Sequence, residues 1–226
     1  MDQFLAMDKI VNPNLDKEKT AEMLKPIEDC FNWSMQRYGP NHRAVAWRDA
    51  KRQIRRFQIF MGLLYYDTSR NNISINDLGC GYGAMFKCLK DLPQFSDGTY
   101  FGYDISDEML SAARKEVLDP RCIFIKSHIA TEKADYSFVS GTYNMRMNSS
   151  NEEWLTYVKM NLEQLWTKTR IGLGFNMLNI ESPLRDKTLF YADPFDFINF
   201  CKNHLSEKVS LSKILNPNEF VIFVRK

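Results

Sequence analysis

The chain has 226 residues, 44% hydrophobic and 26% charged, the balance of an ordinary globular protein with room for one sizeable domain. Lys and Arg number 30 against 28 Asp and Glu, so a formal charge of +2 calls for no dedicated polyanionic partner. No run approaches the roughly 20 apolar residues needed to cross a bilayer. The opening Met1-Asp2-Gln3-Phe4-Leu5-Ala6-Met7-Asp8 has no basic leader before an apolar core, and Cys30, Cys80, Cys88, Cys122 and Cys201 form no CxxC pair. A secretory signal, a disulfide framework and a zinc site are therefore not expected, and the reading is a cytoplasmic protein with reduced thiols and no metal.

Residues 1–70 read as an N-terminal helical cap and residues 71–226 as the main domain. Asp16 or Thr20 is placed to cap a first helix carrying Ala21, Met23, Leu24, Ile27, Cys30 and Phe31 at helical spacing. Tyr38-Gly39-Pro40-Asn41-His42 is a turn. A second helix has Ile54, Phe57, Phe60, Met61 and Leu64 on one face and Arg48, Lys51, Arg52, Arg55 and Arg56 on the other, read as a solvated basic face ahead of a nucleic-acid contact.

From residue 73 strands and helices alternate, the mark of an α/β sheet. Strands are expected at Ile73–Leu78, Thr99–Tyr103, Cys122–Lys126, Tyr136–Val139, Gly172–Leu178, Lys208–Ile214 and Glu219–Val224. Helices fit Ala84–Lys90, Asp107–Val117, Asn151–Lys168 and Pro194–His204, with Ser106-Asp107-Glu108 supplying a cap and first-turn carboxylates. Asn216-Pro217-Asn218 makes the last two strands a hairpin.

The most informative stretch is Asn76-Asp77-Leu78-Gly79-Cys80-Gly81-Tyr82-Gly83, between the first strand and a helix. Glycines there let a backbone approach a nucleotide-like ligand, and the following helix offers unpaired N–H groups. Gly79, Gly81 and Ala84 also fit the dinucleotide fingerprint, and an acid about 20 residues on, here Asp104, grips ribose hydroxyls in either case. Asp77 tips the balance: a carboxylate before the first glycine suits a cationic ligand better than a pyrophosphate. The 70 helical residues before the glycine strand, and a chain that ends in a hairpin where a dehydrogenase needs a second domain, point the same way.

At this point the sequence resembles the class I S-adenosylmethionine-dependent methyltransferases of the small stand-alone type, from about residue 47 onward. Asp77 to Gly83 resembles the family's first motif, and Gly102-Tyr103-Asp104-Ile105-Ser106 with Met109-Leu110 the second. Ala134-Asp135-Tyr136-Ser137-Phe138-Val139-Ser140-Gly141 resembles the fourth-strand motif and Gly172-Leu173-Gly174-Phe175-Asn176 the fifth strand. The resemblance implies a doubly wound, seven-stranded, mostly parallel sheet whose last strand is antiparallel, with S-adenosyl-L-methionine as cofactor. It implies that the loop Gly79, Cys80, Gly81 and Gly83 packs on the cofactor, with Asp77 near its ammonium, Asp104 on its ribose, and Ile105 and Met109 clamping its adenine. Ser140 belongs to the cofactor set by its motif, and His128 or a neighbour holds the place where the family often has an acidic or amide group for the adenine amine. Arg56, ahead of Arg55, is the candidate partner of the cofactor carboxylate.

On the acceptor side, Tyr143 and Asn144 follow the fourth strand and are the catalytic candidates. Tyr38, His42, Trp47 and Tyr191 are candidate substrate-lining groups, Trp47 being equally well placed as plain core, and His204 reads as surface. The segment Glu181–Pro194 is expected to close over the pocket. The absence of an Asn-Pro-Pro-aromatic run after Val139 argues against methylation of nucleic-acid base amines. The expected function is methyl transfer to O or N of a small polar metabolite in biosynthesis. An RNA or protein methyltransferase, an NAD(P)-binding protein and an inactive partner subunit are the alternatives. No membrane or nucleic-acid partner is expected, and the oligomeric state is left open.

Overall fold

The computed structural model describes residues 17–47, 49–65 and 70–226. Its centre is a single sheet in the order β3-β2-β1-β4-β5-β8-β7. The strands are β1 (Ser74–Leu78), β2 (Thr99–Asp104), β3 (Cys122–Lys126), β4 (Ala134–Val139), β5 (Thr169–Asn179), β6 (Tyr191–Ala192), β7 (Lys208–Ser212) and β8 (Glu219–Arg225). β1 to β5 pair in parallel, whereas β8 runs antiparallel to both β5 and β7. The expected closing hairpin is therefore present, and its last strand is inserted between β5 and β7.

The sheet has eight strands rather than seven, because β6 adds to the end of β5 through Leu178↔Tyr191 and Asn179↔Ala192. It takes the edge of β5 that β4 leaves after Val139↔Phe175. Two residues are too few to leave an alternation in the sequence.

The helices are α1 (Lys17–Tyr38), α2 (Ala50–Met61), α3 (Phe86–Leu89), α4 (Asp107–Glu116), α5 (Asn151–Thr167) and α6 (Pro194–His204). One face of the sheet packs on α1, α5 and α6 through Leu24, Ile27, Trp154, Leu162, Phe197 and Phe200. The other packs on α2, α3 and α4 through Phe57, Phe60, Phe86, Leu89 and Leu110. Covered on both sides, the central strands read as near-continuous apolar runs; Phe220, Val221 and Ile222 of β8 are each fully buried.

Three local expectations are corrected. α1 begins at Lys17, so Thr20 lies inside it rather than at its cap, while Asp16 and Arg48 lie outside the described residues. On α2 the buried stripe is Gln53, Arg56, Phe57 and Phe60, whereas Ile54 is exposed; Arg56 therefore leaves the basic face and enters the core. The segment expected as a helix over Ala84–Lys90 opens with i→i+3 bonds, Phe86 N–H to Gly83 and Lys87 N–H to Ala84, so the regular helix is only Phe86–Leu89. Among the described residues, no helix is long and apolar enough to cross a membrane.

Candidate active site

Strand order reverses between β1 and β4, so their carboxyl ends splay apart and leave a crevice, the usual ligand position in an open α/β sheet. A cavity of about 250 Å³ lies there. Asp77, Gly79 to Tyr82, Asp104, Ile105, Met109, Ser127 and His128 line one side of it. Trp47, Ser140 to Met145, Trp154, Tyr157, Leu178, Leu189 and Glu219 line the other, and Leu24, Ile27 and Phe31 of α1 cover it.

The glycine turn is built by sterics. Gly79 has φ +79°, and a Cβ there would sit 2.0 Å from Thr142 Oγ1, whose hydroxyl donates to the Leu78 carbonyl at 2.8 Å. Gly81 has φ +54° and faces the cavity, with Val45 and Met109 the nearest side chains. Gly83 does not line the cavity; a Cβ there would press on Val117 and Phe124, so its role is packing. The N–H groups of the turn are largely spoken for. Those of Gly79 and Cys80 both donate to the Tyr103 carbonyl at 2.7 and 2.9 Å, so this turn is not the open row of helix N–H groups that the sequence suggested.

Two buried carboxylates flank the turn. Asp104 accepts from Gly81 N–H at 2.8 Å through Oδ2 and from Ser106 N–H at 2.9 Å through Oδ1, which fixes its plane while each oxygen keeps accepting capacity. Burial raises its pKa, and the surrounding N–H groups oppose that rise. Asp77 accepts from the Tyr100 hydroxyl at 2.5 Å through Oδ2, while Oδ1 has no partner among the described residues although it is fully buried. Burial, with Asp104 adding to it, pushes the Asp77 carboxyl up to about 7. An orphaned buried carboxylate oxygen costs free energy until something donates to it. A ligand with an ammonium group and a diol fits this pair, the first at Asp77 and the second at Asp104.

The adenine candidates Ile105, Met109 and His128 line the cavity, as do Cys80 and Ser140 of the wider cofactor set. Burial lowers the pKa of His128, which favours a neutral ring, and its carbonyl accepts from Asn161.

The acceptor-side candidates divide. Trp47, Tyr143 and Asn144 line the cavity; Tyr38, His42 and Tyr191 do not. Tyr38 stacks against Arg43 at 4.5 Å, and His42 serves through its carbonyl, which accepts from Trp47 N–H. The Tyr191 hydroxyl donates to the Leu184 carbonyl and accepts from Asp186 N–H, tying the 181–191 loop to itself. That loop reaches the cavity through Leu189 instead, held by the Met145↔Leu189 bridge and by Phe190 N–H donating to Asn144. Tyr143 is 1% exposed and its hydroxyl donates to Asn161 Oδ1 at 2.7 Å, so it braces the loop after β4 against α5 rather than presenting a free hydroxyl. Burial drives its pKa well above the usual phenol value, which keeps the phenol neutral.

Arg56 is buried beside the cavity. Its guanidinium lies 3.7 Å over the Trp47 ring and its Nη2 donates to Glu219, while Nε and Nη1 are buried without a hydrogen-bond partner among the described residues. Arg56 does not itself line the cavity, but its Nη1 lies 3.5 Å from where a Cβ on the cavity residue Gly141 would sit, so the guanidinium keeps donors for a further carboxylate. Glu219 itself was missed. It is the first residue of the antiparallel β8, and that direction returns an acidic side chain to the edge where the parallel strands end. Asn176 completes the group, donating to Glu219 Oε2 at 2.9 Å and accepting from Gly141 N–H at 2.8 Å.

Comparison with known proteins agrees with this geometry. Residues 76–145 match the family model described as a methyltransferase domain. The chain is 39% identical over 157 residues to the Mycobacterium tuberculosis protein named "Putative methyltransferase Rv1506c", covering 68% of this chain and 93% of that protein. Among solved structures, magnesium protoporphyrin IX methyltransferase (ChlM) from Synechocystis PCC 6803 with bound SAH superposes with a TM-score of 0.64 at 13% identity, over 89% of this chain and 99% of that one. The plantazolicin methyltransferase BamL, in complex with a triazolic desmethylPZN analog and SAH, gives 0.59 at 15% identity, over 91% and 98%. At these identities the two structures speak to the fold.

Proposed function

We propose that this chain, which belongs to the class I S-adenosylmethionine-dependent methyltransferases, methylates an oxygen or nitrogen of a small-molecule acceptor. The observation that carries the reading is the division of one cavity into a half with two buried carboxylates and a glycine turn, and a half walled by apolar side chains. S-adenosylmethionine supplies a methyl carbon on a sulfonium, an electrophile that needs alignment more than activation.

In this reading Asp77 receives the cofactor ammonium, Asp104 its ribose hydroxyls, and Ile105 and Met109 its adenine. Ser140, Cys80 and Gly81 shape the space between these groups. The apolar walls exclude water from the reacting atoms, as α1 covers the cavity with Leu24, Ile27 and Phe31. The acceptor lone pair forms the new bond to carbon as the sulfur–carbon bond breaks, and the acceptor proton leaves to solvent. Of the charged groups on the cavity wall, Asp77 and Asp104 lie on the cofactor side, so Glu219 is the carboxylate that remains for the acceptor.

The burial of Arg56 shortens the basic face of α2 on which an RNA acceptor would dock, which supports the small-molecule reading over that alternative. Incubation with methyl-labelled S-adenosylmethionine and a cell extract split by mass tests it. Label in the fraction below about 1 kDa is expected, and label confined to RNA or protein would contradict the reading.

A further inference from the structure

We infer that the acceptor is a largely apolar molecule that presents one hydroxyl, or one neutral amine, to a polar pair formed by Glu219 and Asn144. The inference rests on the methyltransferase reading and narrows its substrate class. It also revises the polar metabolite expected from the sequence.

Once the carboxylate-rich half is assigned to the cofactor, the remaining walls are mostly apolar, with Leu24, Ile27, Met145 and Leu189 among them; Gln53 and Thr142 there are already engaged by Tyr82 and the Leu78 carbonyl, which leaves Tyr157 as the further polar side chain. A polar body in that space would be desolvated with few return hydrogen bonds. The polar groups of the pair flank Leu178, which is in register with Glu219 across β5 and β8. Glu219 Oε2 is occupied by Arg56 and Asn176, whereas Oε1 has no hydrogen-bond partner among the described residues, and the residue lines the cavity. Asn144 Oδ1 accepts from Leu178 N–H at 3.1 Å, which sets the orientation of the amide. Its Nδ2 is then the free donor, 3.7 Å from where a Cβ on Gly141 would sit.

The pair therefore offers one acceptor and one donor. The Arg56 guanidinium already balances the charge of Glu219, so the site does not demand a cation. A hydroxyl satisfies both groups, donating to Glu219 Oε1 and accepting from Asn144 Nδ2. A methyl ether has no proton for Glu219, and a carboxylate brings like charge against it.

Three probes with one ring system separate these cases: 2-naphthol, 2-methoxynaphthalene and 2-naphthoate, titrated into protein loaded with S-adenosylhomocysteine and followed by ligand-observed NMR. We expect 2-naphthol to bind about tenfold tighter than either of the others, the scale of one hydrogen bond to a charged group. Glu219→Gln, measured on protein whose denaturation curve shows it folded, should remove most of that preference while S-adenosylhomocysteine affinity, read by calorimetry, stays within about twofold, and Glu219→Gln combined with Arg56→Met, which strands no charge, should lose the preference likewise. Equal binding of the three probes, preference for 2-naphthoate, or no binding of 2-naphthol to wild type would overturn the inference. So would a folded Glu219→Gln protein that loses S-adenosylhomocysteine instead, since the carboxylate then holds the cofactor. Wild-type protein that binds no S-adenosylhomocysteine would fail the methyltransferase reading itself, and is measured first.

Discussion

Arg56 on α2 and Glu219 at the start of β8, 163 residues apart in sequence, form a buried ion pair beneath the ring of Trp47. Their side chains are 2% and 13% exposed. Burial lowers the Arg56 pKa to about 10, against the opposing pull of Glu219, so it remains charged at neutral pH. Through Asn176 the pair also fixes Gly141 N–H, and so joins α2, β5, β8 and the loop after β4 at one edge of the cavity.

Removing one partner of such a pair strands the other charge. Arg56→Met should cost about 3–5 kcal/mol in chemical denaturation. Adding Glu219→Gln to that variant should recover part of the loss. A single variant within about 1 kcal/mol of wild type would show that the pair is solvated rather than buried.

The raised carboxyl of Asp77 gives a pH dependence with a definite sign. Its folded value of about 7 lies above its ordinary 3.8, so between those values the folded state keeps a proton that the unfolded chain has released. Ligand-free stability should therefore fall as pH rises from about 4 to about 7, and Asp77→Asn should flatten that part of the profile by a few kcal/mol. Proton release on S-adenosylhomocysteine binding near pH 6, read from calorimetry in buffers of different ionisation heat, checks the same group. Uptake of a proton would reverse the assignment.

Tyr143→Phe deletes the donor to Asn161 Oδ1 in a buried setting. We expect a stability loss of about 1–3 kcal/mol with S-adenosylhomocysteine affinity nearly unchanged. Unaltered denaturation midpoint, with a large drop in turnover, would restore Tyr143 as a group acting on the acceptor.

Gly79→Ala places a methyl group on Thr142 Oγ1 at a backbone φ of +79°. Clash and strain together should destabilise the fold by roughly 1–3 kcal/mol and shift the turn that carries Gly81. Wild-type stability in the melting curve would mean that the loop after β4 moves aside freely.

Much of this was legible in the sequence, and the reasons differ by element. β1, β2 and the glycine turn announce themselves because alternation, glycines and acids coincide within Asn76 to Asp104. α6 and β3 were read to their ends because Asp193-Pro194 caps the one and turns bound the other. The residues expected on the cofactor come from strand ends next to local motifs, and most of them line the cavity. The opposite wall is assembled from α1, α5, Leu189 and Glu219, groups that only the tertiary fold brings together. The burial of Arg56 was not legible because a basic run on an amphipathic helix reads as solvated, and nothing local reveals that Glu219 meets it. Tyr191 was misjudged because its loop turns Leu189, two residues earlier, toward the cavity.

Calorimetric titration of the purified protein with S-adenosylhomocysteine, repeated with Asp104→Ala, tests the account most directly. It predicts one site per chain in the wild type and a loss of about 1.5–3 kcal/mol in binding free energy for the variant, the range for hydrogen bonds to a charged group. No binding of S-adenosylhomocysteine by the wild type, or an Asp104→Ala protein that binds it equally well, would contradict it.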